Sequence, residues 1–556
     1  MNSLSKYRYE PLQQDREIRI LHLQPGPGSA EVHCFIEHAN LDDRIEYEAL
    51  SYTWGDTTLQ SQIVCNKDRS PLAVTRNCLS ALQRLRSPDR QLTLWIDALC
   101  IDQTNTLERN QQILLMSAIY RQAKLVVVYL GEASDDSDIA MDFILEHAKG
   151  LGGTPTGLGP GIISSPQQRA IDHILERPYF ERVWIQQEVK FAPHIEILCG
   201  DKFITWQQLS TTAFYVNVNK KMYAQGIRHR DPPSVLYSRD KSVGKRPETL
   251  LQYLIHTRNC KSTDPRDKIN AVVGMAAEYA EAALQPNYFL TTVETFAKVA
   301  QFCIIRGRNL DVLCQVQGTQ SIVGLPSWVP DWSSPAVSEV LGWPKVPRSI
   351  YNAANGIPAV YRFSPDLGRL MVRGILFDKI SEIGPPLKES NSSLCSILKN
   401  WDELSFKLNS YPTGQDMEVC FMETLIASTT RDYSKPNVFV QLFASAWRSV
   451  MFEETVLNEP RDTRERSKVE IFNEQFRNAS YGRCFFLTAT GYMGLAPAEA
   501  EVNDLICVLL GGQIPFILRD IADAYRLIGE SYVHGLMVGE GIKEKHDEDF
   551  QEFSIY

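Results

Sequence analysis

Residues 92–131 constrain the fold of this chain more than any other stretch, because they write a strand, a helix and a second strand with almost no connecting chain. LTLWIDALCI is apolar enough for a strand buried on both faces. LERNQQILLMSAIYRQA repeats apolar residues at helical spacing through Leu115, Ile119 and Ala123, and Asn105 followed three residues later by Glu108 predicts a capping box at its start. KLVVVYLG supplies the second buried strand. Two parallel strands joined through a helix need a sheet covered by helices, so the expected fold class is an α/β N-terminal domain with a mostly parallel sheet. YEALSYTWG before the block and IEILCG after it read as further strands, with VWIQQEV as a helix or strand between, and the domain is expected to span 1–210.

At 556 residues the chain exceeds what one hydrophobic core supports. A helical middle region is expected at 211–345. In it TDPRDKINAVVGM carries Asp264 as N-cap, Pro265 at the first helical position and Asp267 in the first turn. LPSWVPDWSSP reads as an ordered loop pinned by its two tryptophans. A C-terminal α+β region is expected at 346–556, where RLMVRGILFDKI, CFFLTATGYMGL, DLICVLLGG, PFILRD and AYRLIGESYVHG are short β-rich runs suited to a small antiparallel sheet or barrel. KEKHDEDFQE reads as a solvated tail, and the glycine-rich KGLGGTPTGLGPG as a connection or a lid.

Composition removes several classes. Lys plus Arg number 57 against 67 Asp plus Glu, a net charge of −10 with no basic stripe, so no nucleic-acid partner is expected. No apolar run is long enough to span a bilayer, and the first residues carry neither a secretory nor a myristoylation signal, so a cytoplasmic protein is expected. The twelve cysteines have no metal-binding spacing and read as reduced, buried thiols, and no metal is expected. The phosphate-binding loop, the dinucleotide fingerprint and the serine-hydrolase elbow are all missing.

The candidate site residues are acids and aromatics near the ends of the predicted strands. In RVWIQQEV a helix puts Trp184 and Glu188 one turn apart on one face, with Arg182 close by as a cation that opposes any rise in the glutamate pKa. Asp97 alternates with Trp95 and Leu99 on a strand face and needs a specific donor, whether an ion pair or a substrate. Asp102 and Gln103 follow that strand, where open α/β sheets place ligands; contact with a ribose or phosphate and capping of the next helix are both open. Arg109 is placed to serve a nearby carboxylate. Trp54 ends the first strand, where an indole stacks on a ring or packs into the core.

YEALSYTWGD, the LWIDALCIDQTNTLERNQQILLMSAIYRQAKLVVVYLG block and RPYFERVWIQQEVKFAPHIEILCG together resemble the fungal heterokaryon-incompatibility (HET) domain family. TDPRDKINAVVGM, LPSWVPDW and GRCFFLTATGYMGLAP are similar to segments that follow such domains. One departure is Ile101-Asp102-Gln103, where the family commonly has Ile-Asn-Gln. The resemblance implies nonself recognition and regulated cell death when unlike fungal cells fuse, with self-association or another incompatibility protein as partner. HET domains have been likened to Toll/interleukin-1 receptor (TIR) domains, some of which cleave NAD with the glutamate of a W-x-x-x-E motif. That likeness implies a TIR-like fold, Glu188 as the catalytic residue, the other candidates as substrate contacts, NAD as substrate and no resident cofactor. A non-catalytic signalling adaptor and a biosynthetic enzyme on the same scaffold are the alternatives.

Overall fold

The computed structural model describes residues 7–28, 30–66, 68–150, 164–223, 233–237, 248–279, 281–342, 351–388, 394–429 and 463–556. Most of the glycine-rich KGLGGTPTGLGPG stretch lies outside them. The chain forms two compact units, Met1–Leu290 and Thr291–Tyr556.

The first unit is built on nine strands: β1 (Glu17–Leu23), β2 (His33–Asn40), β3 (Glu48–Tyr52), β4 (Gln60–Cys65), β5 (Ser70–Thr75), β6 (Leu92–Trp95), β7 (Leu125–Tyr129), β8 (Ile195–Cys199) and β9 (Lys202–Thr205). They run in the order β5-β4-β2-β1-β6-β3-β7-β8-β9. The sheet is mixed, which corrects the expectation of a mostly parallel one. Four neighbouring pairs are parallel, β2–β4, β3–β6, β3–β7 and β7–β8. Four are antiparallel, β1–β2, β1–β6, β4–β5 and β8–β9. Short connections allow only antiparallel pairing, which accounts for the β1–β2, β4–β5 and β8–β9 hairpins, while β6, β3, β7 and β8 form a parallel centre. The block at 92–131 forms parallel strands β6 and β7 with β3 inserted between them.

Among the helices of this unit are α1 (Arg76–Leu85), α2 (Asp97–Cys100), α3 (Thr106–Gln122), α4 (Ser137–Gly150), α5 (Ser165–Leu175), α6 (Ile185–Phe191), α7 (Trp206–Tyr223), α8 (Leu250–His256) and α9 (Asp267–Val273). LTLWIDALCI is therefore not strand throughout. An apolar run of this length fits a buried strand or a buried helical turn equally well. Asp97 decides, because its carboxylate accepts the Ala98 N–H at 2.7 Å while the Cys100 N–H reaches back to the Ile96 carbonyl at 2.7 Å. Asp97 and Cys100 thus share a helical turn rather than opposite strand faces. The helix in TDPRDKINAVVGM likewise opens at Asp267, after a turn in which Asp264 accepts the Arg266 N–H at 3.0 Å.

The second unit contains β10 (Tyr361–Phe363), β11 (Leu370–Ile383), β12 (Arg483–Thr488), β13 (Met493–Pro497), β14 (Leu505–Leu509), β15 (Phe516–Asp520), β16 (Tyr525–Glu530), β17 (Tyr532–Val533) and β18 (Gln551–Ile555). With them lie α10 (Thr292–Gly307), α11 (Leu394–Ser405), α12 (Met417–Leu425) and α13 (Thr463–Ser480). Strand β11 pairs with both β14 and β18, and β14, β15, β16 and β18 follow one another, so five strands close a small barrel. Residues 543–549 of the expected tail are exposed, but its last two residues, Gln551 and Glu552, open the closing strand, in which Phe553 and Ile555 are fully buried. Its charged lead-in hides the alternation that begins only at residue 551. Trp328 and Trp332 are buried, as their loop predicted.

All twelve cysteines are unbridged. Among the described residues no helix is long and apolar enough to cross a membrane, and no group of three metal-binding side chains is assembled.

Candidate functional site

Parallel strands β3 and β6 end side by side, and the polar groups of the first unit gather just past their carboxyl ends, where an open α/β sheet leaves room for a ligand. Ser51 is a small hydroxyl side chain in the buried part of the strand EALSY. Its Oγ donates to Glu188 Oε2 and lies 2.8 Å from the Tyr179 hydroxyl. Glu188 sits on α6, 1% exposed, and Tyr179 in the 3-10 turn Pro178–Glu181 just before it, fully buried.

Arg182 lies between that turn and α6. Its guanidinium donates to the Tyr52 carbonyl at the end of β3, and its charge acts on both Glu188 and Asp97. Among the described residues neither acid forms an ion pair with it. Asp97 receives the Trp54 indole N–H, 3.2 Å from Oδ1 and 3.0 Å from Oδ2. Gln103 donates to the Asp97 backbone carbonyl at 2.9 Å. The hydroxyl of Tyr120, on α3, is buried without a hydrogen-bond partner among the described residues while facing the charges of Glu188, Asp97 and Arg182.

Burial is the largest influence on Glu188 and pushes its carboxyl from the ordinary 4.5 up to about 7; Asp97 adds to the rise, while Arg182 and the Ser51 hydroxyl oppose it. Burial also raises the Asp97 carboxyl, again against Arg182. Burial, aided by Asp97 and only partly offset by Arg182, therefore lifts the Glu188 carboxyl toward neutrality.

The structure brings Glu188, Arg182, Asp97, Trp54 and Gln103 together and sends the other candidates elsewhere. The Trp184 indole donates to Asp267 Oδ2 at 3.1 Å, so Trp184 and Glu188 have different partners despite their spacing. Asp267 also accepts the Tyr288 hydroxyl, and burial lifts its carboxyl to about 6. Arg109 stacks over the Tyr288 ring at 4.2 Å. Asp102 holds its own turn, accepting the Thr104 N–H at 3.0 Å and its hydroxyl at 2.7 Å. Asn105 caps α3, but Glu108 does not complete the capping box. It turns inward to Arg19, at 2.5 Å and 3.1 Å, and accepts the Asp102 N–H at 2.7 Å, because a buried arginine on β1 needs a carboxylate more than an exposed helix end does. Ser51, Tyr179 and Tyr120 escaped the sequence reading, although a serine in the buried stretch of a strand was the visible signal for the first. A separate open cavity of about 410 Å³, lined by Arg16, Leu115, Arg121 and Tyr279 among others, takes in none of these site residues.

Residues 47–188 match the family described as heterokaryon incompatibility protein (HET), and residues 462–553 match the Het-6 beta-barrel domain. The chain thus carries a HET domain whose matched segment runs from the residue before β3 to Glu188 itself, and β3 is joined to that last residue by the Ser51–Glu188 hydrogen bond. The chain is similar along nearly its whole length to heterokaryon incompatibility protein 6, OR allele, of Neurospora crassa, with 24% identity across 96% of this chain and 95% of that protein. No solved structure matches.

Proposed function

We propose that this chain is a fungal heterokaryon-incompatibility protein whose TIR-like HET domain serves nonself recognition and regulated cell death by cleaving the nicotinamide–ribose bond of NAD at Glu188. The observation that carries this reading is a buried carboxylate with one hydroxyl donor and no ion pair among the described residues, poised near neutrality at the carboxyl ends of parallel strands. Buried carboxylates whose pKa is displaced toward neutrality concentrate at functional sites, although Asp311 in the second unit is also raised to about 7 by burial.

Nicotinamide leaves as a neutral pyridine, taking the bonding pair of the broken C1′–N bond, so no general acid is required. Ordinary glycosidases need a second carboxyl because their leaving group is an alkoxide. Glu188 in its ionised form stabilises the oxocarbenium-like ribosyl centre, more strongly in a partly dry site than in water. Water then adds to C1′ and gives up a proton, which a group titrating near 7 can accept. Arg182 keeps a fraction of Glu188 ionised, and Trp54, Asp97, Gln103 and the unpartnered Tyr120 hydroxyl form the polar surroundings of the ribose. With Glu188 1% exposed, substrate entry requires its cover to open, and self-association or engagement of another incompatibility protein in the cytoplasm supplies that opening.

The test is incubation of concentrated purified protein with NAD. Release of nicotinamide by the wild type and not by Glu188→Gln supports the reading, and release that rises more steeply than protein concentration supports the assembly step. Silence from assembled wild type sinks it. The near-complete burial of Glu188 favours the second reading, a signalling adaptor that binds without turnover.

A further inference from the structure

The hydroxyls around Glu188 have a direction. Ser51 Oγ carries one proton and contacts two groups, Glu188 Oε2 and the Tyr179 hydroxyl at 2.8 Å. Toward an ionised carboxylate Ser51 must be the donor, since a carboxylate only accepts; its proton is then spent, and the bond to Tyr179 is made by the phenol donating to Ser51. The chain therefore runs Tyr179 to Ser51 to Glu188. When Glu188 takes up a proton on Oε2 the order reverses, with the carboxylic acid donating to Ser51 and Ser51 to the phenol oxygen. Neither state breaks a hydrogen bond, and all three side chains are buried, so water does not compete for the contacts. The anchor engages Oε2 alone, and no described residue donates to Oε1.

We propose that Tyr179 and Ser51 are positioning residues for Glu188, a reversible hydroxyl relay that clamps Oε2 through both protonation states and leaves Oε1 as the oxygen offered to a bound sugar hydroxyl. The inference rests on reading Glu188 as the working carboxylate, but its geometry can be tested without turnover. The groups facing Glu188 are Ser51 from β3, Tyr120 from α3, Asp97 from α2, and Tyr179 and Arg182 from the segment before α6. The relay is the part of this surrounding that stabilises the ionised form without carrying a charge.

The experiment titrates the Glu188 carboxyl in full-length protein by carbon-13 glutamate NMR, identifying its signal as the one absent from Glu188→Gln. In Ser51→Ala the midpoint rises by about 1–2 pH units, because a hydroxyl bond to a charged group is lost. Tyr179→Phe, which keeps the serine but removes the head of the relay, raises it less, and Ser51→Thr restores the wild-type midpoint. A midpoint unmoved or lowered in Ser51→Ala overturns the relay. If Ser51→Ala fails to fold, Tyr179→Phe decides by the same criterion. The two readings separate cleanly: shifted titration with no nicotinamide from wild type retains the relay and ends the NAD proposal, whereas nicotinamide release with an unmoved titration does the reverse.

Discussion

Glu188 and Glu530 are both buried glutamates close to an arginine, and the fold treats them in opposite ways. In the barrel unit the Arg483 guanidinium donates to Glu530 Oε1 at 2.7 Å, the Leu341 N–H to the same oxygen at 2.6 Å and the Gly342 N–H to Oε2 at 3.0 Å. Arg483 also donates to the Ala479 and Glu339 carbonyls. Both oxygens of Glu530 are engaged and the arginine meets it directly, so the pair is scaffolding. In the HET domain Arg182 is turned to the Tyr52 carbonyl, and Glu188 keeps one serine hydroxyl. The Arg19–Glu108 pair shows that the same unit can build a bidentate buried ion pair. The bare state of Glu188 is thus a local arrangement, and such arrangements cost stability where function needs them.

The contrast predicts stability effects of different size and sign. Arg483→Ala leaves Glu530 buried without its cation and loses about 3–5 kcal/mol in denaturant unfolding of the barrel unit. A loss below about 1 kcal/mol would show that the pair is not the scaffold described.

Glu188→Gln moves the other way. With a folded pKa of about 7 against an ordinary 4.5, the folded wild type binds its proton more tightly than the unfolded chain, so this group's contribution falls as pH rises from 4.5 to 7. At pH 8 the variant should be more stable than wild type by on the order of 2–4 kcal/mol, and at about pH 4 the difference should vanish. Thermal unfolding of both proteins across that range checks the sign.

Trp54→Phe removes the indole donor from Asp97 and loses about 1–2 kcal/mol, which urea unfolding resolves. Trp184→Phe costs less, about 0.5–1 kcal/mol by the same measurement, because Asp267 keeps the Tyr288 hydroxyl.

The strand–helix–strand block was legible because its helical periodicity and its Asn105 cap point to the same helix start. The flanking hairpins were not, since strands such as QSQIVC carry a weak apolar alternation that resembles ordinary surface chain. Asp97 was misplaced by one dihedral choice at the end of β6, a choice made by its own carboxylate and invisible in an apolar run. Glu108 shows the limit of local motifs, because its capping-box spacing was overridden by Arg19, 89 residues away in sequence. Glu188 itself was readable as a charge set in an apolar helix. Its partner Ser51, 137 residues distant, became meaningful only once β3 and α6 were brought together.

Nicotinamide release by wild type and Glu188→Gln, compared at about pH 8 on preparations whose melting is recorded alongside, tests the role of this carboxylate most directly. We expect at least about a 100-fold loss of release in a variant that melts no lower than the wild type. Equal release from both proteins would contradict catalysis by Glu188, and a variant that melts well below the wild type would place Glu188 with Glu530 among the scaffolding acids.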